Sequence, residues 1–125
     1  MKTLLRIAAA LFVLPVVVHG LSHWSPRNAS DPDALSARLV HNLRTRVPEG
    51  SVVIAPVRTS YEIAAVAPVY VVAVPATHVA NTNANDPYRR IRDVHRWIST
   101  NDPAIARKYG ATWQVREGRL SRVTP

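Results

Sequence analysis

Apolar and polar positions follow two different rhythms along this chain. The first is a pair of short, valine-rich runs, Val52–Val57 and Val69–Val74. Each is too short and too β-branched to favour a helix, so both predict buried strands. Between them lies an amphipathic segment, Thr59–Ala67, which carries its own start and stop signals. Thr59 with Glu62 three residues on has the capping-box spacing, and Pro68 stops a helix at or before Ala67. Strand, short helix, strand is the unit that builds a parallel sheet. The stretch Pro48–His78 is therefore the predicted nucleus of the fold.

The second rhythm is helical. Leu35, Leu39 and Leu43 recur every fourth residue with Val40 alongside, after an Asp31-Pro32 pair suited to open a helix. Arg38 flanks that face, and Arg44 and Arg46 suit the helix's negative end. Asp86-Pro87 and Asp102-Pro103 repeat the starting device. Over Pro87–Ser99 the spacing places Tyr88, Ile91, Val94, His95 and Ile98 on one stripe, with His95 a core histidine. Arg89, Arg92, Asp93 and Arg96 fall opposite, with Arg89 and Asp93 spaced as an ion pair. A short helix, Pro103–Tyr109, stops at Gly110, a natural left-handed residue. Ala111–Val115 then reads as a third strand with Ala111, Trp113 and Val115 on one face. The basic tail after Arg116 is expected to fray. The sum is an α/β chain: a small Rossmann-like domain with a three-stranded, mostly parallel sheet over residues 31–116. A linker at 25–30 precedes it and a basic tail at 117–125 follows.

Residues 1–24 stand apart. Lys2 and Arg6 precede an uninterrupted apolar run, Ile7–Val18. The expected arrangement is an uncleaved single-pass membrane helix, with Arg6 snorkelling to the inner surface and Trp24 in the outer aromatic belt. The alternative is a signal segment cleaved near Gly20, which leaves a secreted or periplasmic protein. Both place everything after Trp24 outside the cytoplasm. His19 and His23 are four apart, but two histidines alone do not make a metal site. Asn28-Ala29-Ser30 is a formal glycosylation sequon.

Charge and composition narrow the chemistry. The chain has 125 residues, no cysteine and a formal net charge of +8. Disulfides, thiolate metal sites and cysteine catalysis are excluded. Of the 16 basic residues 14 are arginine, and nine of the 16 lie from Pro87 onward against three acids, which concentrates the positive field there. Such a field suits phosphate groups or an anionic membrane surface. Nothing resembles a base-stacking platform or a reading helix, which argues against nucleic acid.

In an open parallel sheet, ligands bind beyond the carboxyl ends of the strands. Those ends are Arg58, Thr59 and Ser60, where a helix start could hold an anion, and His78 with Asn81, Asn83 and Asn85, whose imidazole and amides could orient a sugar or polar head group. Arg89 and Arg92 add the arginine face of the later helix. No Gly-rich phosphate loop, nucleophile elbow or H-E-x-x-H motif occurs, and no cofactor is called for. Asp31, Asp86, Asp102 and Glu62 are engaged as caps, which argues against a self-contained hydrolase.

The order VPEGSVVIAPVRTSYEIAAVAPVYVVAVPATHVANT, NDPYRRIRDVHRWI and IARKYGATWQV resembles the extracytoplasmic C-terminal domain of polytopic bacterial membrane glycosyltransferases that use polyprenyl-phosphate sugars. The likeness spans about Leu35 to Val115 and lies in order and texture. It implies that residues 2–24 correspond to the last membrane helix of such an enzyme. The resemblance places the catalytic carboxylate in an early loop between the first membrane helices, which has no counterpart here. The implied role is non-catalytic: a fragment or accessory domain working with a membrane, a membrane-protein partner and a polyprenyl-phosphate or sugar ligand. The alternative is a secreted small binding protein for an anionic or sugar-phosphate ligand.

Overall fold

A computed structural model describes residues 1–23 and 35–124. The aromatic-belt role of Trp24, the linker at 25–30, the sequon at Asn28 and the helix start at Asp31-Pro32 lie outside the described residues. Two units are present, and each is described by itself. The first contains one helix, α1 (Lys2–His23), with Pro15 inside it. Among the described residues no helix is long and apolar enough to cross a membrane. α1 carries Arg6 before its apolar run and His19 after it. Its unbroken apolar run, Ile7–Val18, rises only about 18 Å against a hydrocarbon core of about 30 Å. The single-pass membrane helix expected over residues 1–24 is therefore not found.

The second unit is a mixed α/β domain. Its first helix, α2, spans Ala37–Arg46 rather than opening at Asp31-Pro32, so Leu35 precedes it; Ser36 is the cap, its hydroxyl accepting the Leu39 N–H at 3.1 Å. Leu39 and Leu43 are buried as their spacing predicts. Strand β1 is only Val52–Ile54. The valine run cannot continue as a strand because Pro56 has no N–H for the ladder. Helix α3 (Val57–Val66) begins at once, with Pro56 as N-cap and no side-chain cap bond. Thr59 is thus the third helical residue, and the Thr59–Glu62 capping box does not form. Strand β2 (Tyr70–Val71) and a 3₁₀ turn (Ala76–His78) follow.

Helix α4 (Pro87–Thr100) is capped by Asp86, whose Oδ1 accepts the Arg89 N–H at 3.1 Å. Helix α5 (Pro103–Lys108) is capped by Asp102 in the same way, through the Ala104 N–H at 2.9 Å. Both Asp-Pro starts are as expected. Gly110 has φ +69, as a left-handed stop requires. Strands β3 (Trp113–Arg116) and β4 (Arg119–Arg122) close the domain. They form an antiparallel hairpin through Glu117 and Gly118, both at positive φ (49° and 70°). A two-residue turn of that hand matches the twist of the strands it joins. The sheet therefore has four strands, not three, and the segment expected to fray is its edge.

Sheet order is β2-β1-β3-β4, with β1 parallel to both neighbours and β4 antiparallel to β3. Alternation along β1 sends Val53 to one face and Ile54 to the other. Val53, Trp113 and Val115 pack against Leu39 and Leu43 of α2 and Ile63 of α3. Ile54 and Val72 pack against Val94 and Trp97 of α4 and Ile105 of α5. Ala111, expected beside Trp113 and Val115, joins this second cluster instead.

The stripe of α4 is rotated from its sequence reading. Val94 and Trp97 are fully buried, whereas Tyr88, His95 and Ile98 are exposed. Trp97, outside the predicted stripe, is as fully buried as Val94 and shares a cluster with Ile54 and Val72 of the sheet side. His95 is thereby a surface histidine rather than a core one.

Candidate functional site

The carboxyl end of β1 turns out to be structural. Ser60 is fully buried, and its hydroxyl donates to the Ala55 carbonyl at 3.1 Å. That carbonyl has left the ladder, so Ser60 supplies its partner. Arg58 is exposed and Thr59 half-buried in the first turn of α3. Neither lines the cavity described below. At the end of β3, Arg116 is also engaged: it donates to the Asn101 amide oxygen and to the Ile98 carbonyl, 5.6 Å above the Trp97 ring.

The loop after β2 is partly structural. Asn85 donates from Nδ2 to the Ala80 carbonyl at 3.2 Å, and its N–H reaches the Thr82 hydroxyl at 3.1 Å. Asp86 N–H donates to the Thr82 carbonyl at 2.7 Å. These bonds shape the turn into α4. His78 stacks on Tyr61 of α3, ring centres 4.7 Å apart and 26° from parallel. Asn81 and Asn83 stay exposed and contribute to no cavity wall described here. Arg89 and Arg92 are likewise exposed. Arg89 lies 3.5 Å from Asp86 rather than pairing with Asp93.

What the structure assembles is a trough of about 300 Å³ along the outer edge of β2. Its walls are the extended run Val69–Val74, Ala64 of α3, Val79 and Pro87. Arg90 closes one side, a residue that sequence spacing passes over in favour of Arg89 and Arg92. Its Nε donates to the Asn85 carbonyl at 2.9 Å and its Nη1 to the Val72 carbonyl at 3.4 Å. Its guanidinium lies 5.2 Å from the Tyr109 ring centre. Among the described residues Arg90 has no carboxylate partner, and no acid lines the trough. Tyr70, on the wall, is 68% exposed, so an aromatic surface lies open at the rim. The sequence signal for Arg90 was its place four residues before Val94 and seven before Trp97, the true buried stripe.

Behind Arg90 lies a second polar group unsuspected from sequence. Asp93 Oδ2 accepts from Lys108 Nζ at 2.7 Å and from Tyr109 Oη at 2.6 Å. The bond from Lys108 first, then that from Tyr109, hold the Asp93 carboxyl below its ordinary value of 3.8. Burial and the bond to Asp93 push the Tyr109 phenol up. A carboxyl whose folded pKa is depressed stabilises the fold above its unfolded pKa, and that contribution is lost as pH falls through the folded value. Wild-type stability should therefore drop more between about pH 6 and about pH 3 than that of Asp93→Asn. Urea midpoints at the two pH values measure it, and parallel losses in both proteins would show that Asp93 contributes nothing.

Among the described residues no group of three or more His, Asp or Glu side chains could hold a metal. Comparison with known proteins finds no matching family model, no similar curated sequence and no similar solved structure. The trough must be interpreted from its own chemistry.

Proposed function

We propose that this is a non-catalytic, extracytoplasmic binding domain of a membrane glycosyltransferase system, and that the β2 trough holds a ligand with an apolar body and a sugar-phosphate head. The observation that carries this reading is Arg90: a half-buried guanidinium, without a carboxylate partner, on the wall of an otherwise apolar trough. A partly desolvated cation favours an anion at that spot, and the valine walls favour hydrocarbon beside it. A polyprenyl-phosphate sugar has both parts. Three carboxylates have structural work: Asp86 and Asp102 cap helices and Asp93 is held by Lys108 and Tyr109. Export follows from Lys2 and Arg6 ahead of the apolar run. Retention at the membrane and cleavage near Gly20 both leave the domain outside the cytoplasm, where it meets a membrane-protein partner.

The test is titration of the full chain with a short-chain polyprenyl phosphate and with the matching polyprenol, followed by calorimetry. The phosphate should bind, and the alcohol should bind at least about tenfold more weakly, the size of one charge-assisted contact. Ala64→Trp, which fills the trough from an exposed helix position, should abolish binding at unchanged urea midpoint. Equal affinity for phosphate and alcohol, or full binding by the Ala64→Trp protein, would remove the reading.

A further inference from the structure

A second cavity lies between α2 and β4, and it shares no residue with the trough. It measures about 370 Å³ and is lined by Arg38, Asn42 and Arg46 of α2 and by Arg119 of β4, with Leu39 and Leu120 also in its wall. Arg38, Asn42 and Arg46 recur every four residues, so they form one ridge about 12 Å long. The opposite wall exists only because residues 119–122 form a strand rather than a frayed tail. None of the three guanidiniums makes an ion pair or hydrogen bond, and the half-buried Asn42 amide has no protein partner among the described residues. Among the described residues no acid lines the cavity. Glu117, the nearest acid in sequence to Arg119, occupies the hairpin turn instead.

We infer that this cleft is a binding site for a phosphate or diphosphate group. Three like charges facing one concavity repel one another, and an anion between them turns that repulsion into attraction. Arginine forks match phosphate oxygens in pairs, and the Asn42 amide adds a neutral donor. All three arginines are exposed, so the contacts are made in water and are screened by salt. Arg46 is thereby a ligand-binding group as well as a complement to the helix dipole. The inference stands independently of the trough, whose residues are untouched by the variants below.

The experiment titrates the full chain with pyrophosphate and, separately, floats it with phosphatidylcholine vesicles with and without phosphatidic acid. Pyrophosphate should bind, with an affinity that falls as salt rises. Arg38→Gln, Arg46→Gln and Arg119→Gln should each weaken it about tenfold. Arg96→Gln, an exposed arginine elsewhere on the domain, should leave it unchanged. Capture on phosphatidic acid vesicles, competed by pyrophosphate and lost in the same three variants, would assign the phosphate to a lipid head group. Capture absent while pyrophosphate binds would assign it to a soluble phosphoester. No pyrophosphate binding, or equal weakening by Arg96→Gln, would overturn the site and leave only a general positive field.

Discussion

Trp97→Ala is expected to lose about 3–5 kcal/mol, the usual range for emptying a large aromatic site in a core. Trp97 is fully buried and is the largest side chain in the domain with no exposure. It sits under the sheet with Val94 and Ile105, and Arg116 lies 5.6 Å above its ring. A domain of this size has on the order of 5–10 kcal/mol in total, so the loss takes it close to unfolding. Trp97→Phe should behave very differently. The indole Nε1–H is buried without a hydrogen-bond partner. Removing such a donor recovers about 1–3 kcal/mol, which offsets much of the lost volume. Urea denaturation of the two variants measures both terms. Equal losses would mean that the Nε1–H finds a partner in solution, and a small loss for alanine would mean that the α4 face is not core.

Deleting residues 117–125 is the second large effect, on the order of 3 kcal/mol. The deletion removes β4, whose four residues pair with all four of β3. Leu120 leaves the α2 side of the core and Val123 leaves the α4 side. Arg122, 4.2 Å above the Trp113 ring, goes with them. Ordering entropy of the removed residues is recovered, so the net loss is smaller than the sum of these contacts. The more visible consequence is a bare β3 edge carrying Trp113 and Val115, which invites intermolecular pairing. The truncated chain should melt at lower urea and associate in sedimentation. An unchanged midpoint with a monomeric sedimentation profile would restore the frayed-tail expectation.

The misreading of that tail has a clear physical source. Residues 119–122 read Arg-Leu-Ser-Arg, with one apolar side chain and two charges. An edge strand needs only one face buried and can use charges to discourage further pairing, so its pattern is weak by nature. The one local signal was Gly118, which accepts the positive φ that a tight hairpin demands. The rotated stripe of α4 has a similar origin. Helical spacing allows neighbouring stripes that differ by one residue, and only the sheet beneath decides which one it covers. Trp97 won over His95 because burying an indole removes more apolar surface from water.

The candidate sites divide in the same way. Ser60, picked as an anion ligand, satisfies a stranded carbonyl instead. Asn85 lines the trough, but its groups are consumed in shaping a turn, and His78 stacks on Tyr61 away from it. Spacing puts Arg90 on the stripe of Val94 and Trp97 but does not show what it meets, and the Arg38–Arg46–Arg119 cleft has no spacing signal at all. Each depends on residues 15 or more positions apart meeting across elements, as Arg90 meets Val72 and as Arg119 meets α2.

By itself the sequence determined the alternation of elements, the Asp86 and Asp102 helix starts, the Leu39–Leu43 face of α2 and the places, though not the lengths or burial, of the two valine strands. All of these are local: a cap, a proline or a period acts within one or two turns of chain. Only the tertiary structure decided the fourth strand, the face that α4 buries, the Asp93–Lys108–Tyr109 group and the two cavities. Those depend on which distant surfaces remove the most apolar area from water together, and no single segment of the chain carries that sum.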